Sequence, residues 1–337
     1  MEFDAGRLKD SWVTRRVPAG LALGWLPPER PSSGDLLMCE VVTTSLHGRL
    51  ETRTGERSKL YPGDQLVCAV GARYATSLLE AVAEIDGERA DLISASGLCG
   101  RVVQRSDGVA APTRLRVLGQ AFHAGQPVNL KCFALGAPLA QAGEPSWALV
   151  VGSEMDSGKT TVCASLIHGA VSRGLRVAAA KLTGTSSARD PGSFRDAGAK
   201  PVLDFLDCGV PSTAGCSIDE LVTISRSLVG HLRASDVDVA VLEIADGLLQ
   251  PETASLLEAL REFLPDPWLV LTTRESLAAQ SGVERLRQLG YRVAAVSGIV
   301  SCSPLASREV EHSSGVRCLA PAQLTAEFQL ASTAAAG

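Results

Sequence analysis

Residues 147–161 read Trp-Ala-Leu-Val-Val-Gly-Ser-Glu-Met-Asp-Ser-Gly-Lys-Thr-Thr, an apolar run entering a glycine-bounded loop that ends Gly158-Lys159-Thr160. A loop of this kind cradles phosphate. Its backbone N–H groups and the positive end of the following helix face phosphate oxygens. The lysine reaches the β- and γ-phosphates, and the threonine hydroxyl ligates Mg²⁺. The cradle comprises Gly152, Ser153, Glu154, Met155, Asp156, Ser157, Gly158, Lys159, Thr160 and Thr161. Gly152 stands six residues before Gly158, one more than the usual spacing.

A phosphate loop needs an acid to hold its Mg²⁺, commonly at the end of a buried strand. The run Val237-Asp238-Val239-Ala240-Val241-Leu242-Glu243 supplies Glu243, with Asp246 three residues on as a second ligand or a turn residue. Lysine is scarce here, six residues against 26 arginines, yet one lysine ends the phosphate loop and Lys181 ends the next apolar run. A compact ammonium suits a phosphate oxygen or a reacting group, and strand ends in open parallel sheets face the ligand crevice. After Lys181, Thr183-Gly184-Thr185-Ser186-Ser187-Ala188-Arg189-Asp190 offers hydroxyls, a guanidinium and a carboxylate, and Asp196 follows. These groups position anions; the same stretch also reads as an ordinary serine-rich loop closed by an Asp-Pro-Gly turn.

The elements that must position these groups alternate. From Trp147 onward, strands are expected near 147–151, 175–180, 237–243, 268–272, 293–300 and 316–319. Helices are expected near 159–173, 193–206, 218–233, 252–263, 276–289 and 321–329. Such alternation makes an α/β domain, a doubly wound and mostly parallel sheet, over residues 147–330. Residues 36–135 instead show short strand-like runs separated by Gly, Pro and Asp, which predicts a small β-rich, barrel-like domain with one helix near 77–84. Residues 1–35 read as an arm or linker, 136–146 as a Gly/Ala/Pro linker, and 331–337 as a disordered tail.

The 337 residues suffice for two cores. A hydrophobic content of 45% with 20% charged residues describes a globular chain, and a formal charge of −5 makes nucleic acid a poor partner. The apolar patch at 20–26 is too short to span a bilayer, so no membrane partner and a cytoplasmic location are expected. Nine scattered cysteines without a Cys-x-x-Cys pair read as small buried residues in a reducing compartment. Cys208 and Cys216 bracket a loop, with no nearby histidine to complete a metal site.

The glycine spacing of 152–160, Lys181-Leu182-Thr183-Gly184 and Glu243 followed by Asp246-Gly247 resemble dethiobiotin synthetase and the wider P-loop NTPase class around it, over residues 147–330 only. That resemblance implies Thr160, Asp196 and Glu243 as metal ligands, and Lys159 and Lys181 as stabilisers of a transferring phosphoryl group. It implies ATP or another NTP with Mg²⁺ as cofactors, and a homodimer as one arrangement. Where the synthetase reads adenine with an asparagine, this chain has Ser301-Cys302-Ser303, and the domain before residue 136 has no counterpart there. The function expected is an Mg-ATP-dependent enzyme that activates a carboxylate or carbamate on a small-molecule substrate. A nucleotide-dependent switch or assembly factor acting on a protein partner is the alternative, and a non-hydrolysing binder of another phosphorylated ligand is a third. No base-reading Asn-Lys-x-Asp, the mark of many switch proteins, occurs in the chain.

Overall fold

The computed structural model describes residues 8–138, 143–264 and 266–335. The chain forms two compact units. One holds residues up to 136 together with 185–189 and 205–215; the other holds the remainder. Residues 1–7 of the expected arm, 139–142 of the expected linker and 336–337 of the expected tail lie outside the described residues. Among the described residues no helix is long and apolar enough to cross a membrane.

The first unit is built on strands β1 (Leu8–Asp10), β2 (Gly24–Leu26), β3 (Leu36–Thr43), β4 (Arg49–Glu51), β5 (Arg57–Lys59) and β6 (Gln65–Val70). It continues with β7 (Arg73–Ala75), β8 (Leu79–Val82), β9 (Arg89–Ser94), β10 (Leu98–Arg105), β11 (Thr113–His123) and β12 (Gln126–Pro127). Neighbours run β6-β3-β11-β9-β10, and β10 pairs back to β6 in parallel, which closes a five-stranded ring. Closure removes the open edges that a flat sheet would expose. Alternate residues point inward: Leu37, Cys39 and Val41 from β3, Leu66, Cys68 and Val70 from β6, and Leu115 and Val117 from β11.

Two expectations fail in this unit. Residues 8–35 are no arm: β1 pairs with β6, and Trp12, Val13 and Val17 are buried against the outer face of β3 and β6. Their apolar mass outweighs the Pro and Gly that suggested a linker. The helix expected near 77–84 is instead β8, paired with β7 and β10, its residues alternately buried and half-buried. The run Leu-Leu-Glu-Ala-Val there fits a period of two as well as one of 3.6, and pairing decides. Residues 185–189 and 205–215 complete the unit, with Ala188 and Leu206 joining Trp12 and Met38 in its second core.

The second unit is a parallel sheet of six strands, β13 (Ser146–Gly152), β14 (Val177–Lys181), β15 (Val202–Asp204), β16 (Val239–Gly247), β17 (Trp268–Thr272) and β18 (Val293–Ser297). Their order is β15-β14-β16-β13-β17-β18. Helices α1 (Lys159–Val171), α2 (Arg189–Asp196), α3 (Ile218–Arg233), α4 (Pro251–Leu260), α5 (Ser276–Gln288), α6 (Pro304–Ser314) and α7 (Pro321–Ala335) complete the alternation. Strands covered on both faces read as unbroken apolar runs, and β13, β14 and β17 are buried almost throughout. Helix α1 lays Val162, Leu166, Ile167 and Ala170 into the core with Val150 and Val241. Each of the buried Val, Leu and Ile side chains contributes about 1.5–3 kcal/mol. Helix α3 starts at a capping box of Ser217 and Glu220.

Here too the structure adds and removes elements. Residues 193–206 do not form one helix: α2 ends at Asp196, and 202–204 add β15 to the edge of the sheet. The expected strand at 316–319 is reduced to a single bridge, Val296 to Cys318. Helix α6 was not expected, although Pro304 opens it, the Ser303 hydroxyl accepts from Ala306 N, and Gly315 at φ +67° ends it. Helix α7 runs on to Ala335, where a tail was expected.

Candidate functional site

From β13 the chain crosses to β14, whereas from β16 it crosses the other way, over β13, to β17. The crevice at such a reversal, beyond the carboxyl ends of the strands, is where open α/β sheets place ligands. Both chemically loaded segments end there, the glycine loop after β13 and Glu243 near the end of β16.

Residues 153–158 join Gly152 to α1, with Asp156 at φ +56° and Gly158 at φ +100° in left-handed conformations. Alternating left- and right-handed residues turn successive N–H groups inward into an anion-binding concavity. Helix α1 has no side-chain cap and no acid in its first turn, so its leading amides stay open to an anion. The loop is held from beneath. Ser153 N donates to Thr272 O at 3.0 Å, the Ser157 and Thr272 hydroxyls meet at 2.7 Å, and Ile299 N donates to Ser157 O at 3.2 Å. A Cβ at Gly152 would lie 2.6 Å from Ser157 Oγ and 2.7 Å from Lys159 Nζ, so a side chain there would displace both.

Lys159 is buried and donates from Nζ to the Glu154 carbonyl at 2.7 Å, folded over its own loop. Burial lowers its pKa, partly offset by Glu243, while Lys181 lowers it further. The other lysine stands at the register position next to Glu243 on β16. Lys181 Nζ donates to Asp190 Oδ2 and lies 3.7 Å from Glu243 Oε1. Burial alone would depress this ammonium; the Asp190 and Glu243 carboxylates outweigh it and hold the pKa above the ordinary lysine value.

Glu243 is 1% exposed, and among the described residues its Oε2 has no hydrogen-bond partner. Desolvation raises its pKa, and the neighbouring lysines only partly counter this. A buried carboxylate oxygen without a donor calls for a cation. The Thr160 hydroxyl, which donates to Asp190 Oδ1 at 3.4 Å, completes a set of hard oxygen donors: Thr160, Asp190 and Glu243. That set fits Mg²⁺. Asp246, its pKa also raised by burial, directly follows Ala245, whose N–H donates to Thr183 Oγ1 at 3.1 Å.

Most residues singled out in the sequence meet here: Gly152 to Thr160, Lys181 and Glu243. Thr161 is exposed on the first turn of α1. Asp196 is the correction. It is exposed on the last turn of α2, whereas Asp190 on the first turn reaches Lys181 and Thr160. The Asp190-Pro191-Gly192 turn signal is in fact a helix start, with Pro in the first turn. Ser301 and Cys302 fall in the 3-10 turn Ile299–Cys302 directly after β18. Sequence reasoning missed Thr272 and Gly298. Gly298, at φ +89°, comes so close to the loop that a Cβ there would lie 2.2 Å from Ser157 O. The Ser297-Gly298 pair closing an apolar strand was the available signal.

A groove of about 440 Å³ in the first unit is lined by Arg89, Arg101, Arg116, Asp86 and Asp91, among others. Arg101 pairs with Glu84 and Arg116 with Glu40, so much of its charge is satisfied within the protein.

No protein-family model and no curated protein matches the chain. Among solved structures, the signal recognition particle receptor FtsY of Elizabethkingia anophelis is similar at 20% identity and a TM-score of 0.33, over 52% of this chain and 60% of that one. A DUF1611 family protein of Anabaena variabilis is similar at 16% identity and a TM-score of 0.39, over 58% and 62%. The signal recognition particle 54 kDa protein of Aeropyrum pernix, in complex with GDP, is similar at 17% identity and a TM-score of 0.38, over 54% and 43%. The chain therefore spans less than two thirds of the length of each. Likeness at this level is partial.

Proposed function

We propose that residues 147–330 bind a nucleoside triphosphate with Mg²⁺, and that the chain is an Mg-ATP-dependent enzyme acting on a small molecule. The observation that carries this reading is Lys181. Its buried ammonium, fixed by Asp190 and Glu243, stands at the sheet edge beside the phosphate loop, where a merely nucleotide-holding protein needs no second lysine.

The open amides of α1 and Lys159 would orient the β- and γ-phosphates, Lys159 exchanging its bond to the Glu154 carbonyl for one to a phosphate oxygen. Thr160, Asp190 and Glu243 would hold Mg²⁺, which would supply neutralisation of the phosphate charge. Lys181 would face the transferring group. A substrate carboxylate or carbamate oxygen attacks the γ-phosphorus, the bond to the β–γ bridging oxygen breaks, and nucleoside diphosphate leaves. The acyl phosphate is then open to an amine, with phosphate departing. Catalysis by this set is positioning and electrostatics, since no protein nucleophile is required.

Turnover assayed with ATP and Mg²⁺ alone, then with pools of small carboxylic acids and amines, tests this. Rates that stay low until a metabolite is added support the enzyme. Stimulation by a protein alone supports the alternative, a nucleotide-dependent switch. One observation favours that second reading: residues 185–189, immediately before Asp190, belong to the first unit, where Glu51 accepts from Ala188 N at 2.7 Å.

A further inference from the structure

Three of the nine cysteines meet at one point inside the closed ring of strands. Cys39 lies on β3, Cys68 on β6 and Cys99 on β10. Register explains the meeting. Cys39 pairs opposite Leu66, two residues before Cys68, and Cys99 pairs opposite Val70, two residues after it. All three therefore share the inward face, Cys68 diagonal to each of the others. None is exposed, all three are free thiols, and their sulfurs lie within 4.8 Å of one another.

We propose that Cys39, Cys68 and Cys99 form a three-sulfur site for a soft, thiophilic ion of the cuprous type within the β-barrel of the first unit. An ion at the centre of a triangle with sides of at most 4.8 Å would stand at most about 2.8 Å from each corner, against about 2.3 Å for a metal–thiolate bond. Side-chain rotation of a few tenths of an ångström closes that gap. The surroundings select the ion. Leu37, Val41, Leu66, Val70, Leu92 and Val117 line the same core and bring no oxygen or nitrogen donor. Hard ions are excluded by the sulfurs, and structural zinc lacks the fourth ligand it takes. A soft monovalent ion content with three sulfurs remains, because one thiolate beside two thiols neutralises it, as an apolar enclosure demands. Each sulfur that binds as thiolate releases its proton to solvent; no electron is exchanged.

The test uses the reduced full-length chain under anaerobic conditions, titrated with Cu(I) against a chromophoric Cu(I) chelator. Because the three sulfurs are buried, a second sample is refolded with Cu(I) present. One equivalent should be retained by at least one of the two preparations, with X-ray absorption giving three sulfurs at about 2.3 Å. Cys68→Ser, checked for its β-sheet circular dichroism, should lower affinity by at least the roughly 10–100-fold typical of outer-shell losses. The exposed-thiol variant with Cys132→Ser and Cys302→Ser should bind as the native chain does. Failure of both preparations to retain an equivalent overturns the proposal. So does a spectrum with two sulfurs or with nitrogen or oxygen neighbours, a readout that stands even if Cys68→Ser does not fold. Tighter retention of Zn²⁺ with four ligands would likewise overturn the three-coordinate assignment.

Discussion

Lys181, the last residue of β14, is ion-paired with Asp190, nine residues further on at the first turn of α2. The intervening loop leaves the sheet and returns, so a strand end and a helix start hold one charge between them. Asp190 also accepts from the Thr160 hydroxyl on α1. One carboxylate thus joins the phosphate-loop helix to the second lysine.

That arrangement separates two aspartates that look alike in sequence. Asp190→Asn should lower turnover by roughly 10²–10³-fold, the scale for losing one preorganised charged partner, and raise the Mg²⁺ concentration needed for half-maximal rate. Asp196→Asn should leave both unchanged. Parallel Mg²⁺ titrations of the two variants decide the matter, and equal effects would remove Asp190 from the proposed metal site.

The two lysines should fail differently. Lys159→Ala should lower turnover by roughly 100-fold or more and weaken nucleotide binding, because its ammonium would hold the bound phosphates and meet still more negative charge in the transition state. Lys181→Arg keeps the charge but replaces a compact donor with a wider fork in a buried space. It should lower kcat about tenfold or more while the calorimetric affinity for nucleotide stays near that of the native chain. Native rates for Lys181→Arg would return the residue to a purely structural ion pair.

Local pattern made the second unit legible. Strand β17 falls where the apolar run placed it, and α3 starts and stops at residues its cap and periodicity announce. Glu243 was readable as the first charge after a buried-strand pattern. What stayed hidden depends on partners far along the chain. Ala188 meets Glu51 across 137 residues, and no window around either shows it. Asp190 against Asp196 turned on whether 189–196 began or continued a helix, a boundary that Asp-Pro-Gly leaves ambiguous. The ring closure of β10 on β6 is likewise a matter of pairing, invisible in the alternation of either strand.

Glu243 gives a pH signature. Burial raises its carboxyl pKa in the folded chain above the unfolded value of about 4.3. The folded state then binds the proton more tightly than the unfolded one. The stability this contributes is full below about pH 4.3 and is lost as pH rises through the folded value. Glu243→Gln is neutral throughout, and Lys181 keeps Asp190 as its partner. Without nucleotide or metal, the Tm of Glu243→Gln relative to the native chain should rise from pH 4 to pH 8. Adding ATP and Mg²⁺ should raise the native Tm more than that of the variant, by mass action at an intact metal site. A Tm difference that ignores both pH and ligand would take Glu243 out of the site.

Gly298 offers a test that touches no charged group. Its φ of +89° disfavours any side chain, and a Cβ would lie 2.2 Å from the Ser157 carbonyl oxygen. That oxygen also accepts from Ile299 N, so the contact cannot open without moving the phosphate loop. Gly298→Ala should therefore destabilise the fold by about 1–3 kcal/mol and weaken nucleotide binding about tenfold or more. Gly174→Ala is the control. It sits just beyond α1 at φ +81° with nothing within 4 Å of the added carbon, so it carries backbone strain without the collision. Its Tm should fall while nucleotide affinity holds. Were both variants to lose stability and keep native affinity, Gly298 would be an ordinary turn glycine and the loop's support would lie elsewhere.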